Sequence, residues 1–200
     1  MNSTRVLGIT GGIGAGKSVV ARLLRHLQVP TFDCDACGKQ AYTNSLDVRE
    51  AVISLLGADS YMLSGEPNLS HIARTVFGSE LLLSSLEKII HPYVRMQFVS
   101  WKETICAPLG WVGLESAILI PKGFDALCDA VLYVDAPIDI RLARVMRRDS
   151  VTARQVQDRM EHQQFTIDGY KIKPIYRLQN TPNSPLIPVV DQVLRELQSL

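Results

Sequence analysis

Gly11 to Ser18 reads GGIGAGKS, a full match to G-x-x-x-x-G-K-[ST], and it stands between the apolar run RVLGIT and the helically periodic SVVARLLRHL. Four of its eight residues are glycine, a composition that a packed connection avoids because of its backbone freedom. A loop that folds its own N–H groups around phosphate oxygens needs that freedom, since it demands positive φ and a close approach that side chains would block. The helix expected to begin near Lys17 adds its unpaired N–H groups and the positive end of its dipole. Lys17 is then placed to reach β- and γ-phosphates, and the Ser18 hydroxyl to ligate Mg²⁺. The motif names a ligand and leaves the reaction open.

The order of segments around this loop predicts an α/β architecture. RVLGIT reads as a strand, SVVARLLRHL as a helix and VPTFD as a second strand, a βαβ opening. From about Ala36 to Lys102 helical patterns follow one another: GKQAYT, VREAVISLLG, NLSHIARTVFG, SELLLSSLEKII and, beyond His91-Pro92, YVRMQFVSWKETI. Proline at a first turn needs no function, so His91-Pro92 also reads as a helix start after Ile90. Strand signals return at GWVGLESAI, DAVLYVDAP and IYRLQN. RLARVMRRD restores helical period. Thr152-x-x-Gln155 marks a capping box for a helix through about Phe165, and Pro188 sits in the first turn of a closing amphipathic helix. The expected whole is one domain over 1–200, a P-loop NTPase-type three-layer fold on a parallel sheet, its core about 1–35 and 103–200 with a helical lobe inserted at about 36–102.

Composition excludes some classes. Apolar residues make up 46% and charged residues 20% of the 200 residues, and the formal charge of +1 supplies no general field for nucleic acid or a membrane surface. The N-terminal apolar run is too short and too soon interrupted by glycine for a signal peptide or a membrane span, so the expected compartment is the cytoplasm. Cys34 and Cys37 form a C-x-x-C pair, but Cys106 and Cys128 are isolated, and the four are read as reduced core thiols and not as a zinc site.

Two further patterns bear on the reaction. In TFDCDACG, a strand persisting through Asp35 would send Asp33 and Asp35 to one side, two carboxylates at the carboxyl edge beside the glycine loop. A carboxylate repels a phosphate acceptor but suits an acceptor hydroxyl that must give up its proton, which favours phosphorylation of an alcohol. Either aspartate could instead cap the next helix. Arg141, Arg144 and Arg148 recur at helical spacing, as a phosphate-neutralising row or a solvated face. No guanine-reading N-K-x-D occurs, and the chain is short for a motor ATPase, so a small-molecule kinase is the reading preferred over a nucleoside or nucleotide kinase or a nucleotide-binding regulatory module.

Taken together, GITGGIGAGKS, FDCDA, His91-Pro92-x-Val94, GLESAIL, VDAP with the arginine row and RRD, then Arg159 and Gln163, resemble the dephospho-coenzyme A kinase family over essentially the whole chain. The resemblance implies transfer of the ATP γ-phosphoryl group to the ribose 3′-hydroxyl of dephospho-coenzyme A, with Mg²⁺, in a monomer or weak homo-oligomer. It places the ATP phosphates on Gly12, Ile13, Gly14, Ala15, Gly16, Lys17, Ser18 and Val19, and makes Asp35 the base. Asp33 then supports Mg²⁺, held first by Ser18, and the acceptor geometry. His91, Pro92, Glu115 and Arg159 are implied on the acceptor side, Arg141, Arg144 and Arg148 on phosphates, and Asn180 near adenine. A helical lid is implied at about 144–172.

Overall fold

The computed structural model describes residues 4–162 and 167–198. In chain order the elements are β1 (Arg5–Thr10), α1 (Lys17–His26), β2 (Thr31–Asp33), α2 (Cys34–Asn44), α3 (Leu46–Leu56), α4 (Leu69–Val76), α5 (Glu80–Thr104), β3 (Trp111–Glu115), β4 (Ala130–Asp135), α6 (Ile138–Asp149), α7 (Ala153–His162), β5 (Ile175–Gln179) and α8 (Leu186–Gln198). They divide into two compact units, one of Met1–Asp33 with Ile105–Leu200 and one of Cys34–Thr104.

In the first unit five strands form a wholly parallel sheet in the order β2-β3-β1-β4-β5. Strand order reverses about β1, and the crevice outside the carboxyl ends of strands at such a switch point is where α/β sheets bind ligands. The glycine loop leaves the sheet there. One sheet face is covered by α1 and α8: Val20, Ala21 and Leu24 with Val190, Val193, Leu194 and Leu197 close over Leu7, Ile9, Leu132, Val134 and Leu178. These are the apolar positions of the helical periods read in the sequence, and each fully buried Leu or Val contributes about 1.5–3 kcal/mol. Gly8 faces the other way, where a Cβ would meet Leu119 Cδ2 at 2.6 Å and Cys128 Sγ at 2.8 Å, so the strand can pack that side only with glycine. The Thr152 capping box forms in full: Gln155 N–H donates to Thr152 Oγ1 at 3.4 Å, and Thr152 N–H donates to Gln155 Oε1 at 2.9 Å. Gln163 and Phe165 lie outside the described residues.

In the second unit α2 to α5 enclose a small core of Ala41, Val48, Val52, Tyr61, Ile72 and Leu86. Asn68 caps α4 by accepting from His71 N–H, and the Tyr61 hydroxyl donates to Tyr42 O at 2.9 Å.

Four expectations are corrected. The strand after α1 stops at Asp33, the last residue paired with β3, and α2 begins at Cys34. Asp35 therefore sits in a helical first turn, where a carboxylate meets the favourable end of the dipole, and does not alternate with Asp33 along a strand. The helix does not restart at His91-Pro92: α5 runs unbroken for 25 residues with Pro92 inside it. Interior proline costs about 3 kcal/mol, and burial of Leu86, Val94 and Phe98 on the same helix, each contributing about 1.5–3 kcal/mol, outweighs it. The strand in GWVGLESAI ends at Glu115, because Ser116 N–H is the last to reach β1, donating to Ile9 O. Cys106 is exposed and is no core thiol; Cys34, Cys37 and Cys128 are buried, and none of the four is in a disulfide. Among the described residues no helix is long and apolar enough to cross a membrane.

Candidate active site

The glycine loop is shaped by its own backbone and by three side chains from distant parts of the first unit. Gly11, Gly14 and Gly16 have positive φ. Gly16, at φ 96°, also passes so close to Asn180 that a Cβ there would collide with Nδ2. The Arg141 Nε donates to Ile13 O at 2.9 Å. Arg144 Nη1 donates to Gly14 O and Ala15 O, each at 3.4 Å, while its Nη2 donates to Asn180 O at 3.0 Å and Oδ1 at 3.4 Å. Asn180 Nδ2 completes the set by donating to Ala15 O at 2.8 Å. Asn180 is brought there by β5, whose last pair with β4 is Gln179 with Asp135, after which Asn180 N–H donates to Asp135 O.

Lys17 Nζ donates to Gly11 O at 2.9 Å and Gly12 O at 3.4 Å, which draws the ammonium over the loop. The Ser18 hydroxyl donates to Glu115 Oε1 at 2.8 Å. Glu115 is buried at 6% exposure, and its register partner across the ladder is Asp33, the exposed last residue of β2. A hydroxyl and two carboxylates are thus gathered at the carboxyl ends of β2 and β3 beside the start of α1. All three are hard oxygen donors, the chemistry that Mg²⁺ selects.

Further along α6 the arginine row divides. Arg141 and Arg144 reach the loop, whereas Arg148 Nε donates to Asp149 Oδ1 at 2.7 Å and Arg159 Nη1 to Asp149 Oδ2 at 2.8 Å. The Asp149 carboxyl is held below the ordinary carboxylate range, chiefly by the hydrogen bond from Arg148. Asp35, His91 and Pro92 belong to the second unit: Asp35 is exposed in the first turn of α2, and His91 and Pro92 lie mid-way along α5.

A family model described as dephospho-CoA kinase matches residues 5–175 of this chain. A dephospho-CoA kinase from Porphyromonas gingivalis is 37% identical over 193 residues, which is 96% of this chain and 94% of that protein. The chain belongs to the dephospho-CoA kinase family. A crystal structure from Thermus thermophilus is 30% identical, with a TM-score of 0.80 over 98% of this chain and 97% of that one. A shikimate kinase from Acinetobacter baumannii shares the fold alone, at 15% identity and a TM-score of 0.56 over 99% of this chain and 95% of that one.

In a dephospho-CoA kinase family member the resemblance places the glycine loop, Lys17, Ser18 and the arginine row on the nucleotide phosphates, and Glu115 with the acceptor. The structure puts Glu115 against Ser18. One signal in the sequence pointed there: Glu115 is an acid ending an otherwise apolar β-run, WVGLE. The resemblance implies Asn180 near adenine; its side chain donates to Ala15 O of the glycine loop.

Proposed function

We propose that this chain transfers the γ-phosphoryl group of ATP to the ribose 3′-hydroxyl of dephospho-CoA, giving CoA and ADP, the last step of CoA synthesis. The observation that carries the reading is the Ser18–Glu115 hydrogen bond at the mouth of the glycine loop, with Asp33 in register beside it, in a member of this family. It joins a phosphate-binding loop to a set of oxygen donors that suits a nucleotide-bound divalent cation.

In this mechanism the loop N–H groups and the N-terminus of α1 bind the phosphate oxygens, and Lys17 exchanges the carbonyls of Gly11 and Gly12 for the β- and γ-phosphates. Arg141 and Arg144 supply positive charge beside the loop, where it offsets the charge that spreads over the phosphoryl oxygens in the transition state. Ser18, with Glu115 and Asp33, would hold Mg²⁺. Held there, Mg²⁺ would supply positive charge against the negative charge of the phosphates. Asp35, an exposed carboxylate in the first turn of α2, accepts the proton of the attacking 3′-hydroxyl. Arg148 and Arg159 contribute to phosphate and acceptor binding, and His91 and Pro92 to the acceptor. A lid at about 144–172 would keep water from the γ-phosphate.

An acceptor screen tests the reading. Purified protein with ATP and Mg²⁺ is offered dephospho-CoA, nucleosides, nucleoside monophosphates and shikimate, and the product is located by phosphorus NMR. Phosphorylation of dephospho-CoA at the 3′ position, with the others at background, is expected. Efficient transfer to another acceptor, or none at all, would overturn it.

A further inference from the structure

We propose that Asn180 is a positioning residue of the phosphate loop, acting through Ala15 and Arg144 and not through adenine. The inference rests on the reading of GGIGAGKS as a nucleotide site.

Three observations carry it. The Asn180 side chain is 5% exposed, so its amide must find its hydrogen bonds within the protein. It finds them on both sides: Nδ2 donates to Ala15 O at 2.8 Å, and Oδ1 accepts from Arg144 Nη2 at 3.4 Å, which also donates to the Asn180 backbone carbonyl at 3.0 Å. The adjoining Gly16 lacks the Cβ that would push this amide away. One side chain thus holds a loop peptide and an arginine in a fixed relation.

The consequence for the loop follows from peptide geometry. In a planar trans peptide the C=O and the following N–H point in opposite directions. With the Ala15 carbonyl held at Asn180, the Gly16 N–H is turned the other way, away from Asn180. Arg141 treats the neighbouring Ile13 carbonyl in the same manner, which turns the Gly14 N–H. A loop that binds anions through N–H groups must keep its carbonyls out of that surface, since a carbonyl turned inward would repel the phosphate. Asn180 is the neutral member of this arrangement. It can donate to a carbonyl and accept from a guanidinium at once, which neither Asp nor Lys can do.

The test compares ADP with AMP. Their difference is the β-phosphate, so their affinity ratio reports the loop and is insensitive to adenine contacts. Calorimetric titrations of Asn180→Ala and Asn180→Asp are run beside thermal melts and steady-state kinetics. Asn180→Ala is expected to weaken ADP about tenfold, the scale of one well-placed hydrogen bond, with AMP within about twofold and the KM for dephospho-CoA unchanged. Asn180→Asp keeps the shape and the bond to Arg144 but turns an oxygen toward the Ala15 carbonyl, so it should weaken ADP more than Asn180→Ala does. With Arg144→Ala added, the loss should be smaller than the product of the two single losses, because the two residues are in contact. Equal weakening of ADP and AMP, unchanged ADP binding, or a multiplicative double variant would overturn the proposal. Should Asn180→Ala not fold, the isosteric Asn180→Asp carries the ADP-to-AMP comparison alone. A wild-type protein that shows no preference for ADP over AMP would instead remove the nucleotide reading on which the inference rests.

Discussion

The hydroxyl of Ser18 donates to Oε1 of Glu115 across 2.8 Å, joining residues 97 positions apart at the carboxyl edge of the sheet. The helix that follows the glycine loop and the strand beside β1 thereby meet in one polar contact. Glu115→Gln retains an acceptor for Ser18 and removes the charge. It is expected to raise the Mg²⁺ concentration giving half-maximal activity about tenfold while the fold is unchanged, on the scale of one carboxylate's attraction for a bound cation. A Mg²⁺ titration of initial rate checks this, and an unchanged midpoint would remove Glu115 from the cation's surroundings.

Lys17 donates to carbonyls of its own loop and is not among the side chains of the sheet-facing core. Lys17→Ala should therefore melt within a few degrees of the unaltered protein and lose about 3 kcal/mol of transition-state stabilisation, a fall in kcat of about a hundredfold or more. Single-turnover transfer from ATP is the measurement. A soluble variant within about twofold of wild-type turnover would contradict the assigned role.

Asp35→Asn preserves shape and removes a proton acceptor. Turnover with dephospho-CoA is expected to fall by about two to four orders of magnitude, the usual scale for a general base, with ADP affinity nearly unchanged. Rapid-quench transfer and ADP titration on the same preparation separate the outcomes: intact transfer removes Asp35 from the chemistry, and lost ADP binding makes it a residue of the nucleotide site.

The Tyr170 hydroxyl donates to the Asp125 carboxylate at 2.7 Å. Burial, and then this hydrogen bond, raise the tyrosine's pKa above its ordinary value of 10.0. A raised folded-state pKa contributes stability that is fully present below the unfolded value and is lost as pH climbs above it. Tyr170→Phe should accordingly destabilise the protein by about 1–3 kcal/mol at neutral pH, since the buried carboxylate of Asp125 loses a donor. The difference from wild type should shrink above about pH 10. Urea denaturation at pH 7 and pH 11 tests both parts, and a difference that does not depend on pH would show that the hydroxyl proton is not involved.

The features legible in the sequence were those set by local backbone chemistry and periodicity. GGIGAGKS reveals itself because a phosphate cradle needs glycine at particular dihedrals, and Gly11, Gly14 and Gly16 do take positive φ. The β-runs could be read because central parallel strands, buried on both faces, run almost continuously apolar, and the apolar faces of α1 and α8 because every third or fourth residue must be buried. Tertiary structure decided the rest. Packing overrode the local signal at Pro92, where burial along α5 outweighs one lost hydrogen bond. Parallel pairing ended β2 at Asp33 and gave Asp35 to a helix. The links from Ser18 to Glu115 and from Ala15 to Asn180 span 97 and 165 positions. No local rule encodes such pairs, because what brings them together is the order and register of five strands, and that depends on how the whole sheet buries its faces.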